Sequence, residues 1–83
     1  MRDTNIVYVL RSGLDSDRYY AGLTSDLRTR LETHNSGGSV HTRSGRPWQI
    51  VVSLQFRDPA SALAFERYLK TGSGRAFAKR HFK

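Results

Sequence analysis

The sequence predicts an α+β domain in the order strand, strand, helix, loop, strand, helix, helix. Three observations carry this reading. Two alternating, largely apolar runs, residues 5–10 and 18–23, flank a turn-rich segment and so read as a hairpin. A third alternating run begins at Trp48. Two stretches of helical period open on polar caps, hydroxyls before the first and Asp58 before the second, and close at glycines. At 83 residues the chain is expected to be a single domain, 1–83, with one thin core.

Residues 5–10 send Ile6, Tyr8 and Leu10 one way and Val7 and Val9 the other. Both sets are apolar or aromatic, so this strand is expected to be buried on both faces. Ser12-Gly13-Leu14-Asp15-Ser16-Asp17 makes the turn, and residues 18–23 return. Gly22 suits a place where backbone or substrate approaches closely. Thr24-Ser25-Asp26 offers caps to a helix over 26–35, and Gly37-Gly38 ends it. Leu27 and Leu31 define its inward stripe, bordered by Arg30 and His34 one turn apart, while Arg28 points elsewhere. Residues 36–46 form a loop rich in Gly, Ser, Thr and basic side chains, and Pro47 ends it. Trp48, Ile50, Val52, Leu54 and Phe56 then alternate with Gln49, Val51, Ser53 and Gln55, predicting a strand with one strongly apolar face. Asp58-Pro59 starts a helix that runs to about Lys70, with Ala62, Phe65 and Leu69 inward and Leu63 at the margin. Thr71-Gly72-Ser73-Gly74 is expected to close it, and residues 75–82 to add a last turn or two anchored by Phe77.

Charge narrows the partners. Lys plus Arg number 14 against 7 Asp plus Glu, a formal net charge of +7. On so small a surface this favours a polyanion, nucleic acid first. The cations are clustered, with Arg43 and Arg46 in the central loop and Arg75, Lys79, Arg80, His81 and Lys83 near the end. A membrane surface fits poorly, because no basic helix carries a broad apolar opposite face. No apolar run approaches the roughly 20 residues of a membrane span. The absence of cysteine excludes disulfides and a cysteine-built zinc site. With no leader-like pattern in MRDTNIVYVL, a cytoplasmic protein is expected. No small-molecule cofactor is expected.

One position is physically awkward. Glu66 projects between Ala62 and Leu63, into an apolar stripe, and a carboxylate there needs a cation, a donor or a metal. Set beside Tyr8 and Tyr20 on adjacent strands and Arg30 and His34 on the first helix, it completes a group suited to phosphate. Cleaving a phosphodiester requires an activated water, stabilisation of developing charge and help for the leaving oxygen. A tyrosine serves as base only if its surroundings lower a pKa of about 10. A guanidinium forks onto phosphate oxygens. A single Glu holds Mg²⁺ when waters and substrate supply the other ligands. Each residue also has a plain role: core aromatics for the tyrosines, dipole complement for His34, a solvated cation for Arg30, an ion pair with Arg30 or Lys70 for Glu66. Thr42 is a polar loop residue without a special claim. The residues alone point to phosphate and leave cleavage and binding both open.

IVY at 6–8 and YAG at 20–22 resemble the two tripeptides that name the GIY-YIG nuclease superfamily. TSDLRTRLETHNSG resembles the helix after the second tripeptide, and TRSGRPWQIV the later loop and third strand. FERYLKTGSGRAFAKRHF resembles the ending of small single-domain bacterial members, kin of the UvrC catalytic domain. The resemblance covers nearly the whole chain in order. It implies a three-stranded, mainly antiparallel sheet flanked by helices, and hydrolysis of DNA phosphodiesters in repair or recombination. It implies Tyr8 and Tyr20 as the motif tyrosines, with Tyr8 taken as base, Arg30 as the catalytic arginine and His34 as its companion. Glu66 would hold one Mg²⁺ or Mn²⁺. Arg43, Arg46, Lys70, Arg75 and Lys79 are expected to meet nucleic acid, DNA first, with a larger repair complex as a further partner. The competing reading is a non-catalytic nucleic-acid-binding module that keeps the fold and the charge. Ile6 and Val7 replace the glycine and isoleucine of the first motif, and Ala21 a β-branched residue in the second. Leu23 or Thr24 stands where UvrC-like members carry a lysine, and Ala78 near where some carry an asparagine. His34 or the second tyrosine is therefore expected to tune the base.

Overall fold

The predicted hairpin forms, and its first strand becomes the centre of the sheet. A computed structural model describes residues 5–83; residues 1–4, where the segment read for a leader begins, lie outside the described residues. The elements are β1 (Ile6–Ser12), β2 (Tyr19–Thr24), α1 (Leu27–Ser36), β3 (Trp48–Gln55), α2 (Pro59–Leu69) and α3 (Gly72–His81), with one 3₁₀ turn at Arg43–Gly45. The strand order is β2-β1-β3, and both pairings are antiparallel. The α+β class and the order of elements are therefore as the sequence predicts.

Side-chain alternation on β1 sorts the helices onto two faces. Val7 and Val9 face α2 and α3, in a core with Ala62, Leu69 and Ala78. Tyr8 and Leu10 face α1, packed with Trp48, Leu27 and Leu31. All four β1 side chains are buried, as expected for a central strand covered on both sides. The first helix opens where the carboxylate of Asp26 accepts the amide of Thr29, and Gly37 caps its end. The side chain of Asn35 then clamps that end onto β3, accepting from Trp48 N at 2.6 Å and donating to Trp48 O at 3.1 Å. Asp58 caps α2 by accepting from the amides of Ala60 and Ser61, with Pro59 in the first turn.

Two expectations need correction. The third strand does not have one apolar face. A bulge shifts its register so that Val9 pairs with Val52 but Leu10 with Ile50. Trp48 accordingly packs on the α1 side, Val51 and Val52 pack on the other, and Ile50 stays 38% exposed. Strict period-2 counting cannot register an inserted residue. The segment Thr71–Gly74 also does more than close α2. Lys70 ends that helix, and Thr71 caps a ten-residue α3, accepting the amide of Gly74 on its hydroxyl. The glycines read as breakers, but Gly74 is buried against the end of α2, where a Cβ would overlap the carbonyl of Tyr68 and the backbone of Leu69.

This close approach yields a stability prediction. Gly74→Ala forces α3 away from α2, costing about 2 kcal/mol or more and lowering Tm by roughly 10 °C in a thermal melt. An unchanged Tm would show that the two helices do not meet this tightly.

Candidate functional site

The site begins with a steric fact. Tyr8 and Gly22 are paired across β1 and β2, and a Cβ at Gly22 would overlap the ring and hydroxyl of Tyr8. The missing side chain lets the phenol lie across the edge strand, below α1. Here the close approach expected at Gly22 is made by the protein's own tyrosine.

Helical spacing brings two α1 side chains to one atom. His34 Nε2 lies 2.8 Å from Tyr8 Oη. One turn earlier, Arg30 Nε–H donates to the same oxygen at 3.4 Å. On its far side, His34 Nδ1 lies 2.7 Å from Thr42 Oγ1. The contacts allow two tautomers, since a phenol and a threonine hydroxyl can each donate and accept. In the relay tautomer Tyr8 donates to Nε2, and Nδ1 carries the ring proton and donates to Thr42. This arrangement requires a neutral imidazole, and the electrostatics agree. Burial, followed by the Arg30 charge, holds His34 below its ordinary range. Burial also pushes the Tyr8 phenol above its usual value; the Arg30 hydrogen bond opposes this, while Tyr20 and Glu66 add to it. At neutral pH the pair is a neutral phenol aimed at a neutral imidazole. His34 is fully buried, so it does not serve the helix end as a solvated cation.

The β2 edge adds a residue on the same face. Tyr20 meets the His34 ring edge-on at 5.0 Å. Lys70 Nζ lies 4.7 Å above the Tyr20 ring and 3.3 Å from the Glu66 carboxylate. Thus α2 touches the cluster through Lys70, and the awkward carboxylate foreseen at Glu66 has a cation. Tyr8, Tyr20, Arg30 and His34 come together, with Glu66 and Lys70 at their margin. The remaining cations stand elsewhere. Arg43 Nε donates to Gly37 O at 3.0 Å and Arg46 Nε to Arg43 O at 2.8 Å, lining a groove with Leu14, Asn35, Ser44 and Pro47. Arg75 and Lys79 line a separate groove with Asp17, Arg18 and Tyr19.

Metal capacity can be judged from the donor set. Among the described residues no three of His, Cys, Asp and Glu converge into a ligand cluster. A one-carboxylate Mg²⁺ or Mn²⁺ site at Glu66, completed by water and phosphate oxygens, fits this donor set. Among the described residues no helix is long and apolar enough to cross a membrane.

Sequence reasoning missed Thr42. It is fully buried, its hydroxyl meets His34, and its carbonyl accepts Trp48 Nε1–H at 2.6 Å. The one available signal was indirect: a buried histidine needs a partner for each ring nitrogen. Ser39, Thr42 and Ser44 all offered a hydroxyl in that loop.

Comparison with known proteins identifies the family. The family model for the GIY-YIG catalytic domain matches residues 4–80. A UPF0213 protein of Lactococcus lactis subsp. cremoris is 35% identical over 69 residues, covering 82% of this chain and 68% of the relative. The UPF0213 protein YazA of Bacillus subtilis is 38% identical over 53 residues, 63% of this chain and 54% of the relative. The structure-specific endonuclease subunit SLX1 of Chaetomium globosum is 38% identical over 66 residues, 72% of this chain but 20% of that protein. The chain thus spans from two thirds to about half of these bacterial relatives and a fifth of the fungal one.

Two outcomes test the hydrogen-bond chain itself. Thr42→Val leaves the buried Nδ1–H without an acceptor and should cost about 1–3 kcal/mol in chemical denaturation, with Thr42→Ser costing less. Stability should also depend on pH in a set direction. The unfolded histidine takes a proton near pH 6.5, whereas the folded one resists. Stability from His34 is therefore full above about pH 6.5 and is lost as pH falls below it. A His34→Gln variant should lack that component, and an identical pH profile in both proteins would contradict the neutral assignment.

Proposed function

The chain belongs to the GIY-YIG catalytic-domain family, and we propose that it hydrolyses phosphodiester bonds of nucleic acid, DNA first. The single observation that carries this reading is the convergence of Arg30 and His34 on Tyr8 Oη, at 3.4 and 2.8 Å. A water attacking phosphorus gives its proton to the Tyr8 oxygen while Tyr8 passes its own proton to His34 Nε2. One proton moves from water to the imidazole, and the phenol is restored. This relay removes the need for a free phenolate, which burial opposes. It also gives His34 the tuning role that a nearby lysine has in UvrC-like members. Arg30 keeps its charge and is exposed at this edge, where phosphate oxygens can reach it. Thr42 holds the imidazole through Nδ1 before and after transfer. Tyr20 packs edge-on against the ring.

Glu66 would hold one Mg²⁺ or Mn²⁺, which when bound neutralises phosphate charge and stabilises the leaving oxygen. For that, Lys70 must release the carboxylate it pairs with at 3.3 Å. The Chaetomium relative is named a structure-specific endonuclease subunit. By the same reading, flaps or junctions met in repair or recombination inside the cell are the substrates to try first, with a larger complex as partner. The Lys70–Glu66 pair also favours a second reading, in which the carboxylate stays paired and the chain only binds nucleic acid through its cations, Arg43, Arg46, Lys70, Arg75 and Lys79 among them.

Cleavage of supercoiled, flap and single-stranded DNA, and of RNA, with Mg²⁺ or Mn²⁺ separates the two. The nuclease reading expects Tyr8→Phe to slow cleavage about 10²–10⁴-fold and Glu66→Ala to abolish it at any metal concentration. Equal cleavage by wild type and both variants, or none by any across substrates and metals, would leave the binding module.

A further inference from the structure

A second surface stands apart from the tyrosine cluster. The start of β2 and one face of α3 enclose an open groove of about 270 Å³ lined by Asp17, Arg18, Tyr19, Arg75 and Lys79. Arg75 and Lys79 are one helical turn apart, so both project to the same side of α3. Both are exposed, and neither side chain makes an ion pair or hydrogen bond to a described residue. Arg18 forms the opposite wall. It is held there by hydrogen bonds to Ser44 Oγ at 2.8 Å and His41 O at 3.3 Å, and by packing over the Trp48 ring at 5.6 Å. Three cations therefore face one carboxylate, and two of them are uncommitted.

The position matters as much as the charge. β2 is an edge strand, and Tyr20, which touches both His34 and Lys70, follows Tyr19 directly. Arg18 is two residues from Tyr20, about 7 Å along an extended strand. The groove thus continues the β2 edge beyond the cluster, in reach of the same extended polyanion. Lys70 stands over the Tyr20 ring at 4.7 Å.

We infer that this groove holds a backbone phosphate of the bound nucleic-acid strand, away from the bond that is cut. Arg75 and Lys79 supply the charge, and the fixed Arg18 sets the far wall. This rests on the nucleic-acid reading above but not on catalysis. The groove governs capture and register, so its loss is read in Kd and KM rather than in the bond-breaking step.

The test is anisotropy of a labelled duplex with the full chain, without divalent metal, across a salt series. Arg75→Gln/Lys79→Gln should raise Kd several-fold. It should reduce the slope of log affinity against log salt by about 0.9 for duplex, or about 0.7 for a single strand, as one phosphate contact is lost, and each single change by less. Arg57→Gln/Arg67→Gln, which removes equal charge from other elements, should reduce the slope less. An unchanged slope in the groove variant, or an equal fall in the control, overturns the inference. Titrating inorganic phosphate against ¹⁵N-labelled protein distinguishes the source: shifts at Arg75 and Lys79 with phosphate but not with DNA assign the groove to free phosphate and also overturn it. Binding with the expected slope but no cleavage under any metal would sink the nuclease reading and leave the groove standing. Cleavage with an unchanged slope in the variant would do the reverse. Absence of any binding at low salt overturns both.

Discussion

The site depends on one hydrogen bond, between the Tyr8 hydroxyl and Nε2 of a buried His34 at 2.8 Å. It joins the central strand to the first helix and aligns a proton between two groups that burial keeps uncharged. Each neighbour has a reason in that bond. Gly22 gives up its side chain so that the phenol can lie across the edge strand. Thr42 gives the other ring nitrogen its partner. Arg30 donates to the phenol oxygen. Removing Thr42 or Arg30 takes a hydrogen-bond partner from a buried group, which costs more than the bond itself contributes.

The packing explains why such a site can exist on 83 residues. The central strand is covered on both faces, so its tyrosine is rigid without a large core behind it. One face, with Val7 and Val9 against α2 and α3, supplies apolar burial. The other, with Tyr8, Leu10 and Trp48 against α1, carries the polar chain among apolar neighbours. Asn35 ties the end of α1 to β3 through both backbone groups of Trp48, next to the residue that must not move. Glu66 and Lys70 reach around the β2 edge from the other face, and their ion pair is the point at which metal binding and simple nucleic-acid binding diverge.

Much of this was legible in the sequence. Alternation and caps placed the hairpin, both major helices and the third strand, because they depend on local periodicity and on backbone donors that need partners. The awkward place of Glu66 on an apolar stripe could be seen without any structure, and so could the pairing of Arg30 and His34 on one helix face. Three features were not legible. The bulge at Val51 depends on an inserted residue that alternation cannot register. The true start of α3 was hidden because Gly74 reads locally as a breaker, while its reason is contact with Tyr68. Thr42 could not be chosen over the other loop hydroxyls, since its partner is set by the path of the loop and not by spacing.

The most direct measurement is the ¹⁵N spectrum of the His34 ring across a pH titration. A neutral Nδ1–H tautomer that persists below the ordinary imidazole range, and is lost or titrates higher in Tyr8→Phe, is the predicted result. An Nε2–H tautomer, or a ring that titrates as a solvated histidine does, would contradict the proton relay on which the proposed chemistry rests.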